Sequence, residues 1–428
     1  MNARQLAFSL LLKCEASSQY SNIAVDNALS QSSLKEADKG LTAALVYGVT
    51  ERRITLDYYL SRLSSRPIEQ IDRETLTALR MGVYQLEFMD RIPPHAAVNE
   101  TVELCKKSAR GFVNAILRSY MRLEVPIALP DKKDFAYYLS VAYSVCLPLA
   151  NKLVAELGKM GAEDYFKASL KTPKTTLRVN TQRITRDELA SFIEGAEPTA
   201  SSPVGLRAGG SVRELYGFEE GLFFVQDEAS QICVGALGAK RGDTVIDACS
   251  CPGSKSFGAA IEMENEGRVL SFDLHKNKLS LIETGAKRLG ISIISTEAHD
   301  GREPIKELFE SADKVLCDVP CSGFGVIAKK PEIRYKDPAE SERLPDIQLA
   351  ILKNCANYVK RGGTLVYSTC TVFSEENEGN VKRFLADNPD FELCPFEYGN
   401  FRCESGMATL LPQIHGTDGF FVAKLVRR

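Results

Sequence analysis

The chain of 428 residues has no tryptophan, only four histidines, and no Cys-x-x-Cys pair among its 12 cysteines. A zinc centre or a disulfide framework is therefore not expected. Reduced thiols in a cytoplasmic protein are the simple reading, most of them packing as small hydrophobes. No apolar run approaches the ~18 residues of a membrane span. The start meets Lys13, Cys14 and Glu15 too soon for a signal peptide. Gly-x-Gly-x-x-Gly and Gly-x-x-x-x-Gly-Lys are both missing, so neither a dinucleotide site nor a phosphate loop is supported. No sign of charge dominates: 53 basic and 56 acidic residues leave a net −3, which argues against indiscriminate nucleic-acid binding but permits a local basic face. Hydrophobic residues at 44% exclude a largely disordered chain.

Three local basic runs are present: Lys159, Lys167, Lys171, Lys174, Arg178, Arg183 and Arg186; Lys106, Lys107, Arg110 and Arg118; and Lys329, Lys330, Arg334 and Lys336. Any one of them reads as solvated surface. Three together, beside the chemistry below, point towards RNA.

Hydrophobic periodicity divides the chain into three expected domains. Residues 1–125 read as an all-helical bundle, with Leu76, Leu79, Val83 and Leu86 at helical spacing. Residues 126–230 read as a small α/β module, with a helix near Leu149–Ser169 and strand-like Thr175–Asn180. From 231 to 428, short apolar runs ending in an acid (Thr244–Asp247, Val269–Asp273, Val315–Asp318) alternate with helical segments, and Thr364–Ser368 is a further strand. This alternation predicts an α/β, Rossmann-like, doubly wound parallel sheet, whose ligands sit at the carboxyl ends of its strands.

Four motifs fall at that edge. In Asp247-Ala248-Cys249-Ser250-Cys251-Pro252-Gly253-Ser254-Lys255, small residues let a ligand approach the backbone, and the following helix offers free N–H groups to an anion. Asp273 ends the next strand, where an acid either accepts ribose hydroxyls or serves as an ordinary cap. A nucleoside carrying a carboxylate fits both features, and S-adenosylmethionine is such a molecule. Asp300, in the next loop, either accepts from an adenine amine or is solvated. Asp318-Val319-Pro320-Cys321-Ser322-Gly323-Phe324-Gly325 places a thiol beside an acid. Ser368-Thr369-Cys370-Thr371 places a second thiol past the next strand, and the run through Glu375, Glu376 and Asn377 to Phe384 reads as the start of a helix whose positive end would favour a thiolate at Cys370. Thiols and an acid beside such a cofactor match one problem. C5 of cytosine is a poor nucleophile until a thiolate adds at C6, an acid at N3 and the amine stabilises the charge, and the base must leave its stack to be reached.

With these residues in view, the last ~200 residues resemble the RNA (cytosine-C5) methyltransferases, whose pattern is Asp-x-Cys-x-x-Pro-Gly-Gly-Lys, Asp-x-Pro-Cys-Ser-Gly-x-Gly, then Ser-Thr-Cys-Ser and a later Glu-Asn. The ending Asp418–Lys424, the segment Gly221–Ser230 and Arg178-Val179-Asn180 are similar as well. Gly111–Arg118 within the helical start resembles a NusB-like RNA-binding domain. The bacterial 16S rRNA methyltransferase B group fuses the two. The resemblance implies Cys370 as nucleophile, Cys321 as the thiol assisting release, and Asp318 as the acid touching both cofactor and base. It implies cofactor contacts from Cys249, Ser250, Cys251, Pro252, Gly253, Ser254, Lys255, Asp273, Asp300 and Asp318. It also implies a cytosine of 16S rRNA as target on free RNA before subunit assembly, and a monomer with neither metal nor membrane partner. Ser250-Cys251 stand where the family has two alanines, Ser254 replaces the second glycine, Ser256 a threonine, and Thr371 a serine. Should position 254 need a positive φ, its Cβ would cost about 1 kcal/mol. That departure sustains one rival: an RNA-binding protein on a degenerate, non-catalytic methyltransferase scaffold.

Overall fold

A computed structural model describes residues 1–17, 21–171 and 174–428. The chain divides into two compact units, Met1–Lys171 with Ile327–Pro338, and Thr172–Val326 with Ala339–Arg428. The helix expected near Leu149–Ser169 thus belongs to the first unit, and the strands of the 126–230 stretch to the second.

The first unit is helical: Ala3–Ser17, Ser21–Ser30, Glu36–Glu51, Arg53–Leu63, Arg73–Phe88, Pro94–Leu104, Lys107–Met121, Phe135–Tyr143 and Leu147–Ala168. Helix Arg73–Phe88 starts where the Asp72 carboxylate accepts the Thr75 N–H at 3.1 Å. Its stripe at helical spacing faces inward: Leu79 and Val83 are fully buried with Leu45, Leu56, Leu60 and Leu117, and Leu76 and Leu86 pack against the same cluster. Helix Leu147–Ala168 is broken at Gly158, whose φ of 71° is left-handed. The inserted segment Ile327–Pro338 is held by Arg334, which has no exposed surface. Its guanidinium donates to Ser169 O at 2.7 Å, Ser169 Oγ at 3.0 Å and Tyr143 O at 3.1 Å. The Tyr335 hydroxyl donates to Thr50 O at 2.5 Å beneath the Arg53 guanidinium.

The second unit begins with a four-stranded antiparallel sheet of β1 (Thr175–Val179), β2 (Glu197–Pro198), β3 (Gly205–Ala208) and β4 (Phe223–Val225), in the order β2-β3-β1-β4. Its one helix, Arg186–Phe192, opens on a capping box between Thr185 and Glu188. Arg178 and Asn180 tie this sheet to two helices of the same unit, Ser254–Glu262 and Leu279–Leu289. Arg178, 1% exposed, pairs with Glu262 at 2.8 Å, and Asn180 donates to Gly221 O and Leu289 O, both at 3.0 Å.

The larger sheet comprises β5 (Thr244–Asp247), β6 (Arg268–Asp273), β7 (Ile294–Ala298), β8 (Ala312–Asp318), β9 (Val359–Thr369), β10 (Phe391–Leu393), β13 (Met407–Leu410) and β14 (Phe420–Arg427); β11 (Phe396–Tyr398) and β12 (Phe401–Cys403) form a separate hairpin. The order is β10-β14-β9-β8-β5-β6-β7, with β13 beside β14. Strands β7, β6, β5, β8 and β9 run parallel, and β14 is antiparallel to β9. Side chains alternate between two cores, as strand geometry requires. Val245 and Val366 enter the cluster with Ile232, Phe257 and Ile282; Ile246, Leu365 and Tyr367 enter the one with Leu352, Cys355 and Phe384. The predicted Rossmann-like architecture is therefore present, with Asp247, Asp273 and Asp318 each the last residue of a strand. Among the described residues, no single helix is long and apolar enough to cross a membrane, and no group of three or more His, Cys, Asp or Glu could hold a metal ion.

Candidate active site

Strands β8 and β9 lie side by side with Asp318 in register with Ser368. The loops that leave them carry the two thiols, and Cys321 Sγ lies 2.6 Å from Cys370 Sγ. The Cys370 N–H donates to Cys321 Sγ at 3.1 Å, the Ser322 hydroxyl to Thr371 Oγ1 at 2.8 Å, and the Gly325 N–H to Cys370 O at 2.9 Å. A Cβ at Gly325 would strike the Gly419 and Cys370 carbonyls, so only glycine lets these loops meet. Cys321 is pushed well above the ordinary thiol value, by its contact with Cys370, then by burial and by the Glu376 charge.

Both Asp318 oxygens are engaged: Oδ2 accepts from Lys255 Nζ at 2.6 Å and Oδ1 from the Ser368 hydroxyl at 2.6 Å. Burial, the largest single influence, would lower the Lys255 pKa, but the Asp318 charge and hydrogen bond, together with the Cys233 and Asp247 charges, outweigh it and hold the ammonium form. One residue of the cofactor loop is thus linked to the acid of the thiol loop.

The loop after β5 is built differently. The Ser250 N–H and hydroxyl both donate to Phe272 O at 2.8 Å. Cys249 rests on the core beside Ile351 and Cys355, and burial raises its thiol well above the usual range. Cys251, following the same loop, is pushed up to about 12 by burial and Asp273. The Cys251–Pro252 peptide is cis. Gly253 carries the left-handed conformation, φ 107°, while Ser254 is the first residue of helix Ser254–Glu262. The strain considered for Ser254 is therefore absent: the special φ falls one residue earlier, on a true glycine. Gln226, in the upstream segment, steadies the loop by donating to Ser254 O at 3.0 Å.

Asp247 is 1% exposed. Its Oδ2 accepts from the Ser256 hydroxyl at 2.6 Å, and Oδ1 is buried without a partner. Burial raises its pKa to about 7, against the lowering by Ser256. Asp273 accepts from the Cys251 N–H at 3.2 Å and the His275 N–H at 3.0 Å. Asp300 is held to about 2, first by its hydrogen bonds from Arg302.

The thiols, Asp318 and the β5 loop are therefore brought to one edge, with the Ser250 and Cys249 side chains turned inward. Two expectations need correction. Helix Glu378–Asp387 starts well beyond Cys370, because residues 374–377 form turns in which Asn377 binds Thr369 and Thr371. The basic runs are only partly surface. Arg178 and Arg334 are buried, while Lys174 and Arg186 pair with Glu197 and Asp187; Lys107, Arg110 and Arg118 remain exposed on helix Lys107–Met121. Sequence reasoning also missed Ser368, which donates to Asp318, and Gln348, whose amide donates to Pro320 O at 3.0 Å and to Glu376 Oε2 at 2.7 Å beside the Cys321 turn. Gln348 carries no motif signal, being one polar position on a helix. Ser368 sat within a motif and could have been found from the parallel pairing of β8 with β9.

This arrangement is that of a Rossmann-like methyltransferase with paired thiols. A family profile described as "16S rRNA methyltransferase RsmB/F" matches residues 234–426, and one described as "NusB family" matches residues 1–122. The chain is 37% identical to the "Probable ribosomal RNA small subunit methyltransferase B" of Bacillus subtilis (strain 168), over 100% of this chain and 99% of that protein. It is 35% identical to the protein of the same description from Synechocystis sp., over 99% of each. The solved structure of PH0851 superposes with a TM-score of 0.82 at 25% identity, covering 100% of this chain and 99% of that one. The chain belongs to the ribosomal RNA small subunit methyltransferase B family.

Proposed function

We propose that this member of an S-adenosylmethionine-dependent rRNA methyltransferase family methylates C5 of one cytosine of 16S rRNA, cytosine 967 in the usual rRNA numbering, through a covalent Cys370–C6 adduct. The observation that carries this reading is the 2.6 Å approach of two thiols at the ends of adjacent parallel strands, beside an acid held by a lysine of the β5 loop. S-adenosylmethionine, when bound, supplies an electrophilic methyl on sulfur.

The residues present suit such a ligand. The buried, unpartnered Asp247 Oδ1 has acceptor capacity unused by the chain, and glycine at 253 keeps the loop low. The loop Cys249–Lys255 would offer its backbone and the first-turn amides of helix Ser254–Glu262, with Asp273, Asp300 and Asp318 as carboxylate contacts. The cytosine would lie over Cys370. Its thiolate bonds to C6, the C5–C6 electron pair becomes available to take the methyl at C5, and Asp318 holds the N3 and amine side of the ring. Transfer of the C5 proton to solvent then restores the double bond and expels Cys370 as thiolate, with the Cys321 thiol assisting that departure as a hydrogen-bond donor to the leaving sulfur. The helical domain, 1–125, and the module within 126–230 serve RNA recognition, with exposed Lys107, Arg110 and Arg118 as backbone contacts. The substrate is free RNA in the cytoplasm and the enzyme acts as a monomer.

Bisulfite sequencing of 16S rRNA from a deletion strain should show one cytosine losing protection. Cys321→Ala should accumulate a covalent protein–RNA adduct. A Cys370→Ala protein with undiminished activity would refute the assignment. Calorimetry with S-adenosylmethionine separates this reading from the inert scaffold, which would not bind the cofactor even at millimolar concentration.

A further inference from the structure

Two adjacent thiols pose a problem that their proximity alone does not solve: either sulfur could attack the ring. At 2.6 Å the two cannot both carry charge, so the pair can lose at most one of its two protons and, once it does, one thiol and one thiolate share the site. What decides the location of the charge must be asymmetric about the pair.

The asymmetric feature is Glu376, 1% exposed. Its Oε2 accepts from the Ser322 N–H, the residue next to Cys321, at 2.9 Å, and from Gln348 Nε2 at 2.7 Å. Gln348 Nε2 also donates to Pro320 O at 3.0 Å, so carboxylate and amide together grip the turn on both sides of Cys321. The grip is anchored: the Tyr367 hydroxyl donates to Glu376 O at 2.5 Å, and Asn380 donates to Gln348 Oε1 at 3.1 Å. Glu376 Oε1 is buried with no partner, so this acid carries acceptor capacity beyond the grip.

We propose that Glu376 is the positioning residue that assigns the nucleophile: a buried carboxylate behind the Pro320–Cys321–Ser322 turn confines the thiolate of the pair to Cys370 and leaves the proton on Cys321. The groups facing Cys321 agree. Cys370 and Glu376 both disfavour charge on it, and only the Cys370 N–H, the smallest influence, favours it. Lys255, the cation at this edge, is bound to Asp318. The device rests on reading Cys370 as the nucleophile, and it explains why a Pro-Cys thiol so close to the ring is not the one to attack.

The test reads sulfur charge without RNA. Limiting iodoacetamide alkylates a thiolate, forming an S–C bond and releasing iodide, and peptide mass mapping of the full-length protein gives the Cys370:Cys321 labelling ratio. Cys370 should label first in the unaltered protein at every pH from 6 to 9. Glu376→Gln, which keeps the shape and removes the charge, should lower that ratio about tenfold, the equivalent of one pKa unit. Glu376→Asp, which keeps the charge and shortens the grip, should stay near the starting ratio. Equal labelling in the unaltered protein overturns the proposal, and so does a folded Glu376→Gln protein with an unchanged ratio, or one in which Asp behaves like Gln. Should neither variant fold, the pH series on the unaltered protein decides. A Cys370→Ala protein that still methylates RNA would remove the catalytic reading and leave the labelling result standing, so the two failures are separable.

Discussion

The loop after β5 and the pair of loops after β8 and β9 are alike in sequence. Each follows a parallel strand, is built from small residues, contains proline and glycine, and brings two cysteines to the same sheet edge. In the first, the two thiols of the loop do not face one another: Cys249 is buried against the core near Cys355, and Cys251 lies near Asp273. In the second, Cys370 also borders the core, but it faces another sulfur. The difference teaches that a thiol at a functional edge takes its role from what stands opposite it. A buried thiol facing a carboxylate is held neutral and serves as packing. On the proposed reading, a thiol facing a second thiol across two loops, with a carboxylate behind one of them, becomes the nucleophile.

The sharpest way to break this contrast is to remove one thiol from each side. Cys370→Ala should lower methyl transfer by about a thousandfold or more, as loss of a covalent nucleophile does, while Cys251→Ala should stay within about twofold, since nothing in its setting activates it. Methyl incorporation from labelled S-adenosylmethionine measures both. Asp318→Ala comes next. It leaves the nearly buried Lys255 ammonium unpaired, and the urea midpoint should report about 3 kcal/mol of lost stability in addition to lost activity.

Asp247 gives a pH signature. Its folded pKa of about 7 lies above the ordinary 3.8, so the native state binds the proton more tightly. Its contribution to stability is complete below that ordinary value and is lost as pH rises through about 7. Asp247→Asn should remove up to about 1.4 kcal/mol per pH unit of this decline, read from denaturation midpoints across the window. The smallest effect belongs to Ser254→Gly. With the left-handed φ already on Gly253, restoring the family's glycine should not tighten cofactor binding, and it should cost about 0.5 kcal/mol as a weaker helix former. A gain in affinity by calorimetry would reverse that account.

Much of the second unit was legible. Apolar runs closed by Asp247, Asp273 and Asp318 proved to be parallel strands, because a strand buried on both faces must be apolar until it reaches the edge where ligands and solvent begin. Gly290, a glycine just past an apolar helical stripe, has φ 75° and closes Leu279–Leu289. Arginine was less legible. Arg178 and Arg334 sat in runs of basic residues and read as surface, yet each is buried among acceptors far along the chain: Glu262 for one, and Ser169, Tyr143 and Glu51 for the other. Charge patterning registers only neighbours in sequence, whereas a guanidinium buries itself only where distant carbonyls and carboxylates converge. The assignment of Ile327–Pro338 to the helical unit was hidden for the same reason.

Local order along the chain was enough to specify the strands, the helices and the identity of the chemically able side chains, since periodicity, turn residues and motif spacing act over a few residues. Which sulfur faces which, which arginine is buried, and which acid stands behind Cys321 were settled by tertiary packing. Each depends on bringing together groups from separate strands and loops, where burial turns a modest charge or hydrogen bond into a decisive one.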